Sequence, residues 1–254
     1  MTVRIERDGP FAVWTLNRPE AKNALDYATL EMLRGALEAA ARDATLRAVV
    51  LTGSGDTFAS GGDLRELRGA LSAADGERLC EAGRLVTKGI AELPVPVIAA
   101  LPGPAIGGGA ELAVACDLRI AEVRAKLCFK QARLAVTTAW GTAARLTAMV
   151  GPGVAARLLY TGHELSGAEA YAVRLVEAVV ENGQSVTQAL AWAYDIAAGA
   201  PAAVSHLKAL LREALWSPTS VWESERQRFV STWASAAHAE AMAAYFERRA
   251  PTWG

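Results

Sequence analysis

The sequence predicts an α/β chain with a helical C-terminal region, and three observations carry that expectation. Short apolar runs at 11–16, 47–52 and 95–101 have strand character and alternate with longer segments of helical periodicity. Small, glycine-rich turns join strand to helix twice, as Ala59-Ser60-Gly61-Gly62-Asp63-Leu64 and as Ile106-Gly107-Gly108-Gly109-Ala110-Glu111. Beyond Gly151-Pro152-Gly153 nearly every segment is helix-forming, with Gly and Pro between them.

Taken in order, Val3 and Ile5 alternate with charged neighbours, Gly9-Pro10 interrupts them, and 11–16 follows as the second strand of a hairpin. Asn17-Arg18-Pro19 ends that strand. Asp26 is placed to cap a helix whose Leu30, Leu33, Leu37 and Ala40 share one face. Residues 47–52 return to strand, completing a strand–helix–strand unit with an expected right-handed crossover. A helix is expected to start over 63–68, a loop over 69–76, a helix over 79–93 and a strand up to Leu101. The alanine-rich stretch after the glycine run reads as helix, 118–121 and 127–129 as short strands, 130–139 as irregular and 142–150 as helix. The remaining helical segments are 158–160, 168–175, 186–198, 204–215 and 220–249. Trp192, Trp216, Trp222 and Trp233 are expected in buried or subunit-contact positions rather than in a ligand box.

Composition narrows the function classes. A chain of 254 residues, 52% hydrophobic with 22 glycines, can bury one substantial core or two modest ones and is not a disordered protein. A formal charge of −1 provides no basic field for nucleic acid. Cys80, Cys116 and Cys128 form neither a disulfide framework nor a zinc motif, so reduced, mostly buried thiols in a cytoplasmic protein and no metal site are expected. The N-terminus alternates and is charged, unlike a signal or transit segment, and no apolar run reaches the roughly 18 residues of a membrane span.

The two glycine-rich turns carry the chemistry. A helix entrance stripped of side chains presents unpaired N–H groups and the positive end of the helix dipole. Two such turns facing one oxygen from two sides form an oxyanion hole. The nucleotide-binding patterns GxGxxG and GxxxxGK[ST] are missing. Glu111, one helical turn beyond Gly108, leans back toward the same entrance because helical side chains tilt N-terminally.

Asn17-Arg18-Pro19-Glu20-Ala21-Lys22-Asn23-Ala24-Leu25, the stretch from Phe58 to Leu64 and the stretch from Ile106 to Asp117 together resemble the enoyl-CoA hydratase/isomerase (crotonase) family, in its order and spacing. The resemblance runs from about Val3 to Arg249. It implies a crotonase-like ββα spiral core over 1–195 that binds the acyl-CoA, and a helical trimerisation region over 196–254. It implies a homotrimer or homohexamer, and coenzyme A as part of the substrate with no separate cofactor. The family's oxyanion donors fall on the backbone N–H groups of Gly62 and Gly108. The coenzyme A portion is expected along Ala21, Lys22 and Ala24 and along Ala59, Ser60, Gly61, Asp63 and Leu64, with Trp140 lining or covering the acyl pocket. Asp63 has a second reading as a cap. Lys22, Arg248 and Arg249 are possible phosphate partners.

Hydratases of the family use two glutamates. Glu111 takes the first position, and the second aligns with Arg133 within Gln131-Ala132-Arg133. An arginine stays protonated at neutral pH and is no general base. An Arg133–Glu111 pair would hold the glutamate ionised. The expected activity is therefore a hydratase- or isomerase-like lyase forming an oxyanion-stabilised enolate from an acyl-CoA thioester. The alternatives are a decarboxylase of a methylmalonyl- or ethylmalonyl-type CoA and a non-catalytic acyl-CoA-binding protein.

Overall fold

The computed structural model describes residues 1–215, 226, 227, 229, 230, 233–249 and 251. Strands β1 (Val3–Asp8) and β2 (Phe11–Leu16) form the expected hairpin about Gly9, whose φ of 56° is cheap only for glycine. Strands β3 (Ala48–Gly53), β4 (Val97–Leu101), β6 (Leu118–Glu122) and β9 (Ala178–Val180) continue this sheet in the order β1-β2-β3-β4-β6-β9, every pair after the first being parallel. A second sheet joins β5 (Ala105–Ile106), β7 (Lys126–Cys128) and β8 (Leu165–Ser166).

The continuous apolar runs of β3 and β4 follow from cover on both faces. Val49, Leu51, Val97, Ala99 and Leu101 point into the main core, against helices α1 (Tyr27–Ala41) and α2 (Ala73–Glu92). Ala48, Val50, Ile98 and Ala100 point the other way, into a smaller core with Ala189 and Ala193 of helix α6 (Ser185–Ala197). Asp26 caps α1, its carboxylate accepting the Thr29 N–H at 2.7 Å, and Leu30, Leu33, Leu37 and Ala40 are buried as the spacing requires. Each of those leucines contributes about 1.5–3 kcal/mol by leaving water.

Several boundaries differ from the sequence reading, among them the end of the helix that starts at Thr142, which runs on to Thr161 past the expected stop at 150. Residues 64–69 form turns rather than a helix: Asp63 caps the first turn, one carboxylate oxygen accepting the Arg65 and Glu66 N–H groups, and Gly69 at a φ of 98° ends it there. The next helix begins at Ala73, earlier than expected, because Ser72 and Asp75 close a reciprocal capping box. Strands β5, β8 and β9 were not foreseen; at two or three residues they leave no periodicity to read.

Helix α3 (Gly108–Ala115) follows β5, and helix α4 (Thr142–Thr161) bends where Gly151 leaves helical geometry ahead of Pro152. Helices α5 (Gly167–Ala172), α6 and α7 (Pro201–Leu215) and a last helix, α8 (Ala236–Glu247), complete the described chain. The expected helix over 220–249 lies partly outside the described residues, as do Trp216 and Trp222. Trp192 is half-buried in the smaller core. Cys80, Cys116 and Cys128 are buried and none is in a disulfide, and burial pushes the Cys116 thiol up to about 12. Among the described residues no helix is long and apolar enough to cross a membrane.

Candidate active site

The two glycine turns meet. Ala59 pairs with Ala105 as a parallel bridge, and the Ile106 N–H donates to the Ala59 carbonyl at 2.9 Å. This brings the 59–62 segment against the start of α3 so closely that side chains are excluded. A Cβ on Gly61 would lie 3.1 Å from the Gly108 nitrogen, and one on Gly109 would lie 2.1 Å from the Ala59 carbonyl oxygen. Gly107 turns the chain with a φ of 55° and a ψ of −120°.

Both candidate donors are left free by this arrangement. The Leu25 N–H donates to the Gly61 carbonyl and the Asp63 N–H to the Leu25 carbonyl, so this pairing skips the Gly62 N–H. Gly108 is the first residue of α3, where an N–H has no partner within the helix. Neither N–H donates a hydrogen bond to any described residue. The loop behind them is fixed by Asn23, a buried residue at a φ of 53°. Its carboxamide accepts from the Arg18 N–H and the Ser54 hydroxyl and donates to the Ser54 and Thr57 carbonyls.

A cavity of about 1460 Å³ opens over these amides. Lys22, Ser60, Gly61, Gly62, Leu64, Gly108, Glu111, Arg133 and Trp140 line it. Four residues expected at the coenzyme A do not. Ala24 and Ala59 are buried behind the wall, where their carbonyls accept from Arg18 and Ile106. The Ala21 carbonyl is taken by the Ser60 hydroxyl at 3.4 Å. Asp63 supports the loop through its turn and a 2.8 Å ion pair with Arg18. Burial pushes the Asp63 carboxyl up, but the Arg18 hydrogen bond, two backbone N–H groups and the Arg18 charge together hold it below its usual range.

Glu111 is 4% exposed, and its carboxylate is gripped from two sides. Oε2 accepts from the Thr142 hydroxyl at 2.7 Å, the Trp140 N–H at 3.2 Å and the Ala139 N–H at 3.3 Å, which ties α3 to the entrance of α4. Oε1 accepts from the Gln131 carboxamide at 2.6 Å. The Trp140 indole donates to the Leu79 carbonyl and lies flat enough on α2 that a Cβ at Gly83 would sit 1.8 Å from the ring. A Cβ at Gly108 would sit 2.8 Å from the same ring.

Arg133 departs from expectation. Its guanidinium donates twice to the Thr161 carbonyl, at 2.8 and 3.1 Å, and makes no bond to Glu111. The physical reason is the 3₁₀ turn Gln131–Leu134: at three residues per turn, positions two apart face different directions. Gln131 points inward and is buried; Arg133 points to the rim. The residue that faces Glu111 is therefore Gln131, which the sequence reading named only as part of a segment.

The last helix supplies the remaining wall. Trp233, Ala241, Ala244, Tyr245 and Arg249 line the cavity, so Trp233 is buried as expected but stands at the ligand space as well. Its indole donates to the Ala70 carbonyl at 2.8 Å, and the His238 Nδ1–H donates to the Leu134 carbonyl at 2.7 Å. Arg249 pairs with Glu240 and Glu247. Tyr160 stands exposed on the rim, and Tyr171 is exposed away from it. Among the described residues no cluster of His, Cys, Asp or Glu is arranged to hold a metal.

The model of the enoyl-CoA hydratase/isomerase family matches residues 6–254. The chain belongs to the enoyl-CoA hydratase/isomerase family. It is 32% identical to the short-chain-enoyl-CoA hydratase of Clostridium acetobutylicum over 97% of this chain and 95% of that one. It is 34% identical to the crotonyl-CoA hydratase of Syntrophomonas wolfei, over 96% and 95% of the two chains. The crystal structure of an enoyl-CoA hydratase from Bacillus anthracis superposes with a TM-score of 0.82 at 32% identity, over 100% and 99% of the two chains. As a crotonase-fold enzyme, the chain presents at its cavity two unpaired backbone N–H groups, one buried carboxylate and a carboxamide.

Proposed function

We propose that this enzyme adds water across the double bond of an α,β-unsaturated acyl-CoA thioester, a lyase-type reaction when run in reverse. The observation that carries the reading is the pair of free N–H groups on Gly62 and Gly108 beside buried Glu111. In the proposed arrangement the thioester oxygen sits between the two amides. As water adds to Cβ, negative charge moves onto that oxygen, and each aimed donor is worth about 3 kcal/mol in the transition state. Glu111 is the acid–base group, and general acid–base catalysis contributes typically 10²–10⁴-fold. Lys22, Ser60, Gly61 and Leu64 border the coenzyme A path, and Trp140 borders the acyl end. Supporting this substrate class, the relatives named above are hydratases of short-chain enoyl-CoA and crotonyl-CoA.

The decarboxylase alternative rested on Arg133 beside Glu111 and on a likeness of 129–133 and 140–142 to decarboxylating relatives; the first ground is lost, since that guanidinium is bound to Thr161. The rest of the reading is a cytoplasmic homotrimer or homohexamer that requires no cofactor beyond the coenzyme A of its substrate. The exposed Leu207, Leu210 and Leu211 of α7 offer an apolar face for subunit contact. The test is steady-state hydration of crotonyl-CoA by the purified protein and by Glu111→Gln. Turnover by the parent that falls at least a hundredfold in the variant, with similar substrate affinity, supports the reading. Tight binding of crotonyl-CoA and longer enoyl-CoA thioesters without hydration, and without CO2 release from methylmalonyl- or ethylmalonyl-CoA, would favour the acyl-CoA-binding alternative.

A further inference from the structure

We infer that this site performs its proton transfers with a single carboxylate, Glu111, and that Gln131 is its positioning residue. The inference rests on the hydration reading above and specifies how it is carried out. The Thr142 hydroxyl and the Trp140 and Ala139 N–H groups hold Glu111 Oε2 against the entrance of α4, and Gln131 addresses the other oxygen, Oε1. The Gln131 carboxamide fixes that oxygen by donating to it at 2.6 Å. The carbonyl oxygen of the same carboxamide is buried and has no hydrogen-bond partner. A buried acceptor left unmatched is unfavourable. The amide is therefore oriented by what Glu111 needs and against its own hydrogen-bonding preference.

A carboxamide neither gives nor takes a proton at neutral pH. The other ionisable groups that line the cavity are paired or exposed: Lys22 and Tyr245 are exposed, and Arg249 is paired with Glu240 and Glu247. Glu164 is paired with Lys126 at 2.8 Å, Arg133 is held on Thr161, and Asp56, Lys130 and Tyr160 stand at the exposed rim. One residue must then serve both proton steps. As the water oxygen bonds to Cβ, Glu111 takes one of the water's protons. The π electrons of the double bond shift to form the enolate, whose charge rests on the thioester oxygen between Gly62 and Gly108. Glu111 then returns its proton to Cα, the enolate collapses to the thioester, and the enzyme ends in its starting charge state.

The test measures kcat and KM for crotonyl-CoA in the parent, in Gln131→Met and in Gln131→Glu, with a thermal melt of each. Methionine keeps the length and removes the donor. The expected result is a fall in kcat of about tenfold or more, as for other small losses of reactive geometry, with KM within about twofold. Glutamate is expected to restore a substantial part of the rate. Two carboxylates in this contact cannot both ionise, so one retains a proton and can donate it to the other. Parent-like kcat in Gln131→Met, or a loss carried entirely by KM, would overturn the inference and leave the hydration reading intact. An inactive but folded Gln131→Glu would also overturn it, and this arm decides the matter if the methionine variant does not fold. No hydration by the parent would overturn both.

Discussion

Glu111 stands where the proposed chemistry and the packing meet, since the groups that orient its carboxylate also join α3 to α4. Replacing it with glutamine is therefore expected to have two separable effects. Turnover falls about 10²–10⁴-fold for loss of the acid–base group. Stability falls by about 1–3 kcal/mol, because one amide nitrogen must face a donor that formerly met oxygen. Urea denaturation beside steady-state kinetics separates the two. Gly108→Ala is expected to damage the site while keeping its N–H, since the new methyl would meet the Trp140 ring at 2.8 Å; a drop in kcat/KM of tenfold or more would show it. These residues were legible in the sequence because each belongs to a contiguous run whose spacing has a meaning. Gln131 was not, since which of Gln131 and Arg133 points inward depends on the rotation of a four-residue turn.

Helix α2 sets the depth of the cavity through two glycines on one face. A Cβ at Gly83 would lie 1.8 Å from the Trp140 ring and one at Gly76 would lie 2.6 Å from the Trp233 ring. Gly83→Ala is expected to cost about 1–3 kcal/mol by overpacking and to weaken crotonyl-CoA turnover with it. Denaturant midpoints and kcat/KM measured on one preparation test that coupling. Helix α7 is anchored by Lys208, whose buried ammonium donates to the Ile90 and Val95 carbonyls and to Asp117. Lys208→Met is expected to lose about 2 kcal/mol, chiefly from carbonyls left without a donor. At this scale the sequence was readable wherever an amphipathic face or a cap marked the element, as in α1. It misplaced the start of α2, since the Ser72–Asp75 box lies inside a stretch whose composition reads as loop. It missed β5, β8 and β9, which are defined by their partners rather than by a pattern of their own.

Over the whole molecule, the last helix closes the cavity of its own chain, a placement that no local pattern in the sequence reveals. His238 seats that helix against the Gln131–Leu134 turn, with its ring 4.6 Å from Trp233 and its Nδ1–H on the Leu134 carbonyl. Burial lowers its pKa from 6.5, opposed in part by the Leu134 bond. The unfolded chain therefore takes up this proton more readily than the folded one. The seat is at full strength above pH 6.5 and is weakened as the pH falls through the lower folded value. The fall in melting temperature between pH 7.5 and pH 5 is accordingly expected to be smaller in His238→Leu than in the parent. The spiral core and the two glycine turns were recognisable from residue order, while the cover built by the C-terminal segment depended on tertiary packing. The central claim is that the amides of Gly62 and Gly108 share one thioester oxygen. A crystal structure with a non-hydratable acyl-CoA thioester measures this directly. The account predicts that oxygen at about 2.7–3.1 Å from both nitrogens, with Cβ facing Glu111; an oxygen bound away from either nitrogen would contradict it.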